Sequence, residues 1–192
     1  MKKLLWCIPL GVTLLSFACS TGWDIYSNDM FHGKRLLREG DYANARVDFL
    51  KAAEAQKWPP AYAYAATASY KMGDLPATLR YLDEAQKLDG NSYAYLRVLG
   101  YKSLTLLKEG KEQEGRNTLA QYASLLRATS SPMGARQVEV MLKQQPVDIS
   151  ALERMIDEQV NQYESDFEQF QATGTGFYNR PGNYRGGPSI VP

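Results

Sequence analysis

The sequence predicts an all-α chain of repeated helical hairpins, and three observations carry that prediction. Similar punctuation recurs at Arg38-Glu39-Gly40-Asp41-Tyr42, Lys71-Met72-Gly73-Asp74-Leu75 and Lys108-Glu109-Gly110-Lys111-Glu112, with the glycines 33 and 37 residues apart. Small and aromatic residues fall at helical spacing around these turns. A later stripe, Ile149, Leu152, Ile156, Val160, Tyr163, Phe167 and Phe170, repeats at steps of three and four, the period of one helix face.

The first element reads as an export leader over residues 1–18. Lys2 and Lys3 give a positive start, and Leu4 to Ala18 is an uncharged, mostly apolar run of 15 residues. That run is shorter than the roughly 20 helical residues needed to cross a bilayer. The alternative is a buried N-terminal helix of the fold. Leu15-Ser16-Phe17-Ala18-Cys19 resembles a bacterial lipobox, in which cleavage before the cysteine is followed by lipid attachment. The resemblance implies a palmitate-type lipid anchor on Cys19, with residues 19–23 as the lipidated linker. Ser16 and Phe17 stand where that family has leucine and a small residue, and Ser16-Phe17-Ala18 also suits ordinary signal peptidase. Cys19 would be the only cysteine after cleavage, so it has no disulfide partner within the chain. Ser20 after it, in place of Asp, resembles lipoproteins sorted to the outer membrane, facing the periplasm.

Residues 24–128 carry the hairpins. Each glycine ends a first helix by adopting a left-handed conformation, and Asp41 or Asp74 can cap the helix that follows. This spacing and punctuation resemble the tetratricopeptide repeat, a helix–turn–helix unit of about 34 residues whose neighbours stack to bury a shared core. By that resemblance Gly33, Ala45, Phe49 and Ala52 take the small and aromatic places of repeat one. Tyr62, Ala66, Tyr70, Leu82 and Ala85 do so in repeat two, which departs at Thr78 and closes with Leu88-Asp89-Gly90. Repeat three has Gly115 in the small place and Tyr122 where the family has alanine.

Residues 129–171 form a helical cap. Ser131-Pro132 opens a short helix, Pro146 ends it, and Ser150-Ala151-Leu152-Glu153 reads as a capping box for a longer helix running to about Gln171. That last helix is expected to cover the exposed edge of the final hairpin, with a coiled-coil or partner-docking face as the alternative. Residues 172–192 alternate glycine and proline and read as a disordered tail.

Composition narrows the function. Lys+Arg number 22 against 21 for Asp+Glu, and loss of Lys2 and Lys3 would leave 20 against 21, too balanced for non-specific nucleic-acid binding. A single histidine and two cysteines exclude a metal site built from several such ligands. No catalytic motif is visible: His32 reads as an interhelix residue, and no phosphate loop or zinc helix occurs. The expectation is therefore a non-enzyme without cofactor or small-molecule substrate, with an enzyme built on His32 or an unseen carboxylate pair as the alternative. In tetratricopeptide arrays the first helices line a concave groove. By that resemblance the groove would carry Lys34, Arg38, Thr67, Tyr70, Lys71, Arg97 and Lys108 as peptide-binding residues, beside Met30, Leu37, Leu104 and Leu107. Its basic character points to a carboxylate-bearing peptide or helix of another envelope protein. Arg38, Lys71 and Lys108 also suit the negative ends of their helices without any ligand. The function expected is a membrane-tethered adaptor or assembly factor; the third alternative is an oligomer joined through the Ile149 to Phe170 stripe.

Overall fold

The computed structural model describes residues 8–88, 93–129 and 132–174, with side chains of the first helix described from residue 22. Among the described residues the chain is eight helices and no strands: α1 (Ile8–Glu39), α2 (Tyr42–Ala55), α3 (Pro59–Lys71), α4 (Leu75–Leu88), α5 (Tyr95–Lys108), α6 (Glu112–Thr129), α7 (Pro132–Leu142) and α8 (Ile149–Thr173). The backbone of α1 is helical from Ile8, so it runs through the second half of the expected leader. Residues 1–7, the side chain of Cys19, Asp89-Gly90, Ser131 and the tail from residue 175 lie outside what is described.

Three antiparallel hairpins, α1/α2, α3/α4 and α5/α6, follow one another as the punctuation predicts. Their turns are built alike. Gly40, Gly73 and Gly110 hold φ of 83°, 80° and 76°, a region that costs other L-residues about 1–2 kcal/mol. The residue after each glycine donates its amide to the carbonyl five residues back, Asp41 to Leu36, Asp74 to Ser69 and Lys111 to Leu106, at 2.9–3.0 Å. Asp41 then caps α2 by accepting from the Asn44 amide at 3.3 Å, and Asp74 caps α4 by accepting from Ala77 at 3.1 Å. Asp74 also receives Arg46 of α2 at 3.0 Å, so the same carboxylate ties hairpin one to hairpin two.

Small residues set the interhelix distances. A Cβ on Gly33 would stand 2.7 Å from the Phe49 ring, and one on Gly115 2.7 Å from Leu107. α3 is buried on nearly every side because Ala61, Ala63, Ala65, Ala66 and Ala68 let α2, α4 and α5 close around it. Two apolar clusters result. One gathers Tyr26, Met30 and Phe49 with Ala61, Ala65 and Ala68; the other runs from Ala63, Ala66, Tyr70 and Leu82 through Leu104, Leu119 and Tyr122 to Ile156 and Val160. Tyr62 and Tyr81 pack against both, so the core is continuous along the stack. Thr78, the departure in repeat two, is buried and returns its hydroxyl to the Asp74 carbonyl at 2.8 Å, so its extra polar atom is satisfied.

The C-terminal third differs from the sequence reading in two respects. Ser150 lies inside α8, and the cap is Asp148, whose carboxylate accepts from the Ala151 amide at 2.9 Å; Glu153 points to other partners instead of closing a capping box. α7 packs on α6, but α8 does not merely cover that edge. It lies against α5 and reaches across to α3 and α1.

Two glycines with different physical roles give a direct check. Gly33→Ala drives a methyl into the Phe49 ring and should lower the unfolding free energy by about 1–3 kcal/mol. Gly40→Ala meets nothing within 4 Å and should cost about 1 kcal/mol, through backbone strain alone. Urea unfolding of both variants measures the difference; equal losses would remove the close-approach role of Gly33.

Candidate functional site

The first helices of the hairpins carry their cations and phenols on the face that α8 occupies. Each apolar residue of the α8 stripe is followed by a polar one: Leu152-Glu153, Ile156-Asp157, Val160-Asn161, Tyr163-Glu164 and Phe167-Glu168. Leu152, Ile156, Val160 and Tyr163 are buried in the core, so the neighbouring acidic stripe is aimed at the first helices. Gly100 of α5 makes this possible: a Cβ there would lie 2.7 Å from Ile156 and 3.3 Å from Tyr122.

The contacts run in order along α8. Glu153 accepts from Tyr70 at 3.0 Å and from Lys71 at 2.7 Å, and Lys108 stands 3.5 Å away, with its ammonium 4.0 Å above the Tyr70 ring. Asp157 accepts from Lys71 at 2.6 Å and from the Tyr101 hydroxyl. Glu164 receives Arg97 in a two-point bond, Nε and Nη2 each at 2.8 Å, together with the Tyr64 hydroxyl. Nη2 of Arg97 also donates to Asn161 at 3.0 Å, and Nη1 to Thr67 at 3.1 Å; its guanidinium lies 4.0 Å over the Tyr64 ring. Glu168 pairs with Lys34 of α1, and Phe167 stacks on Tyr93 with ring centroids 4.6 Å apart. Partners on α3 and α5 move toward their N-termini as α8 advances, so α8 is antiparallel to both.

The seven expected peptide-binding residues therefore share one face, and α8 engages most of it. Lys34, Tyr70, Lys71, Arg97 and Lys108 touch α8, and Thr67 supports Arg97. Arg38 alone makes no hydrogen bond or ion pair among the described residues. Met30 and Leu104, placed in the groove by resemblance, belong to the core, and Leu107 packs against Gly115. The Ile149 to Phe170 stripe is used within the chain from Leu152 to Tyr163, so that part is not a free oligomer face. His32, expected between helices, is half exposed and joins α1 to α2 by pairing with buried Asp48. Among the described residues no group of three or more His, Cys, Asp or Glu is placed to hold a metal ion, and no helix is long and apolar enough to cross a membrane.

Where α8 leaves the groove incompletely filled there is a cavity of about 440 Å³. It is lined by Lys34, Leu37, Arg38 and Tyr42 of the first hairpin, by buried Tyr64, Thr67 and Arg97, and by Asp157, Asn161, Glu164, Ser165 and Glu168 of α8, with Arg38, Asn161 and Ser165 exposed.

The electrostatics match the geometry. Burial works to raise the Glu153 carboxyl, but hydrogen bonds and charge from Lys71, helped by Tyr70 and Lys108, outweigh it and hold the group below its ordinary value. Burial likewise opposes charge on Lys71, and its bonds to Asp157 and Glu153 win, raising it. Burial, then the adjacent carboxylates, push the phenols of Tyr64 and Tyr70 up; Tyr101 is raised by burial and Asp157 against the pull of Arg97.

Comparison with known protein families, with curated proteins and with solved structures finds no match.

Two outcomes follow from the buried contacts. The Arg97 and Glu164 side chains are 2% and 3% exposed, so Arg97→Leu strands a buried carboxylate and should cost about 3–5 kcal/mol in urea unfolding. Adding Glu164→Leu should restore most of that loss, and a double variant as unstable as the single one would refute the account. The second outcome concerns pH. The lowered Glu153 contributes stability that is complete above its ordinary carboxyl value of 4.5 and is lost as pH falls through the depressed one. The raised Lys71 contributes stability that is complete below 10.5 and is lost above it. The near-ultraviolet dichroism of the buried tyrosines should hold steady between those limits and decay in acid, with a weaker acid decay in Glu153→Gln.

Proposed function

We propose that the chain is a membrane-tethered interaction adaptor of the bacterial cell envelope. In this reading a short tetratricopeptide-type stack binds a peptide or helix of another envelope protein, and Cys19 carries the lipid. The observation that carries the reading is the cavity beside α8, lined by exposed Arg38, which has no hydrogen bond or ion pair among the described residues, together with Lys34, Leu37 and Tyr42. The rest of the same surface grips an acidic helix by cations, phenols and bidentate guanidinium bonds, which defines the chemistry it accepts: carboxylates spaced along an amphipathic segment. A partner segment of that type would enter at the Arg38 end, next to the Lys34–Glu168 pair, without displacing Leu152, Ile156 and Val160 from the core.

Arg38 is exposed, so Arg38→Glu should change stability by no more than about 0.5 kcal/mol. Cross-linking in the intact envelope, followed by mass spectrometry, should capture a partner with the native chain and lose it with Arg38→Glu at an unchanged unfolding midpoint. A partner retained by Arg38→Glu would overturn the groove reading. Palmitate labelling that persists in Cys19→Ser would overturn the tether.

A further inference from the structure

An exposed aromatic cluster stands where α1 meets the segment that opens α3. Trp23 and Trp58 meet edge to face with ring centroids 4.9 Å apart, both over the buried Tyr26, whose ring centroid lies 5.6 Å and 5.4 Å from theirs. Trp23 is 46% exposed and Trp58 40%, so the pair is braced from below and open from above. The backbone fixes both rings. Trp58 holds an extended conformation ahead of Pro59 and Pro60, which open α3, and Trp23 lies within α1. Neither ring lines the cavity beside α8.

Three features point to what covers them. Cys19 precedes Trp23 by four residues in α1, about one helical turn. The fold is already packed at Gly22, where an added Cβ would lie 3.2 Å from Gln56 and 3.6 Å from the Ala55 carbonyl. Four residues separate Cys19 from Trp23, which is about 6 Å as helix and at most about 14 Å fully extended. A lipid on Cys19 therefore has no slack with which to hold the fold away from the bilayer. Indole rings, apolar with one polar N–H, favour the headgroup layer of a membrane.

We infer that Trp23 and Trp58 form a membrane-interface seat that beds the N-terminal end of the hairpin stack into the lipid headgroup layer. The inference rests on the tether at Cys19 proposed above. It fixes the end of the molecule that faces the membrane, and it puts Arg38, nineteen residues further along α1, about 28 Å away along the helix axis.

The test uses the full chain, expressed with its leader and carrying Trp6→Phe and Cys7→Ser. Trp23 and Trp58 are then the only indoles and Cys19 the only thiol. Protein extracted from the envelope is reconstituted into vesicles of phosphatidylethanolamine and phosphatidylglycerol with brominated acyl chains, and its intact mass reports whether lipid is attached. With lipid present, bromine should quench about half or more of the tryptophan emission, and Trp23→Phe and Trp58→Phe should each remove part of the quenched signal. Lipid present without quenching overturns the seat and leaves the tether standing. If the mass shows no lipid, the tether reading fails, and the free Cys19 thiol is coupled to a maleimide phospholipid before the measurement is repeated. Quenching of that conjugate supports the seat, and its absence overturns it.

Discussion

The contact on which the arrangement of this chain depends is the buried pair between Arg97 of α5 and Glu164 of α8. Removing two opposite charges from water is costly, and such a pair persists only where hydrogen bonds satisfy nearly all of its polar atoms. Here two parallel bonds join guanidinium and carboxylate, and Thr67, Asn161 and Tyr64 take up much of what remains. Its value lies in position. A slip of α8 by one residue would turn Glu164 away from Arg97 and leave both charges buried and unmatched, so the pair selects one placement of α8 among those its apolar stripe would allow.

The apolar stripe supplies what the pair does not. Leu152, Ile156 and Val160 bury fully, at about 1.5–3 kcal/mol for each side chain of that size, and Gly100 gives Ile156 room to approach α5. The two halves of α8 are thus held differently. Up to Val160 the helix is anchored mainly in the core, with Glu153 and Asp157 adding bonds along its flank. Beyond Glu164, a half-exposed Glu168 pairs with Lys34 and the Phe167 ring stacks on Tyr93. The open cavity runs beside α8 from Asp157 to Glu168, across both halves.

The hairpins were legible in the sequence because their signals are local. A glycine that must take positive φ and an aspartate that caps the next helix need no knowledge of the rest of the chain, and the Gly33, Phe49 and Ala45 places followed from the spacing between turns. The candidate groove residues were legible as a set for the same reason, since a fixed offset before each glycine puts them on the first helices. What they contact was not legible from that offset. The signal lay in α8, where the apolar stripe residues from Leu152 to Phe167 are each followed by Glu, Asp or Asn, but a polar residue beside an apolar stripe is also what a solvated helix flank looks like. Only the folded chain, which brings Lys71 and Arg97 from 67 to 86 residues away in sequence, separates the two. The misplaced cap has a similar cause: Ser150 and Glu153 have the capping-box spacing, yet Glu153 gains more from Lys71 and Tyr70 than from a backbone amide at the helix start.

The occupied groove also limits what a partner can be. A segment that had to replace α8 along its length would need to match the buried Arg97–Glu164 network and also refill the space of Leu152, Ile156 and Val160, or leave a cavity costing several kcal/mol. A segment that enters at the Arg38 end meets no such demand, because Arg38 has no partner among the described residues and the carboxylate that pairs with Lys34 is exposed. Binding there would add carboxylates to a surface whose inner cations are already neutralised by α8. Of the cations around the cavity, Arg38 has no carboxylate partner among the described residues, whereas Lys34, Lys71 and Arg97 are paired with α8, which favours a short acidic contact over a long one. Selectivity would then come from the neighbouring Leu37 and Tyr42, which offer apolar and hydroxyl contacts at fixed positions on α1 and α2.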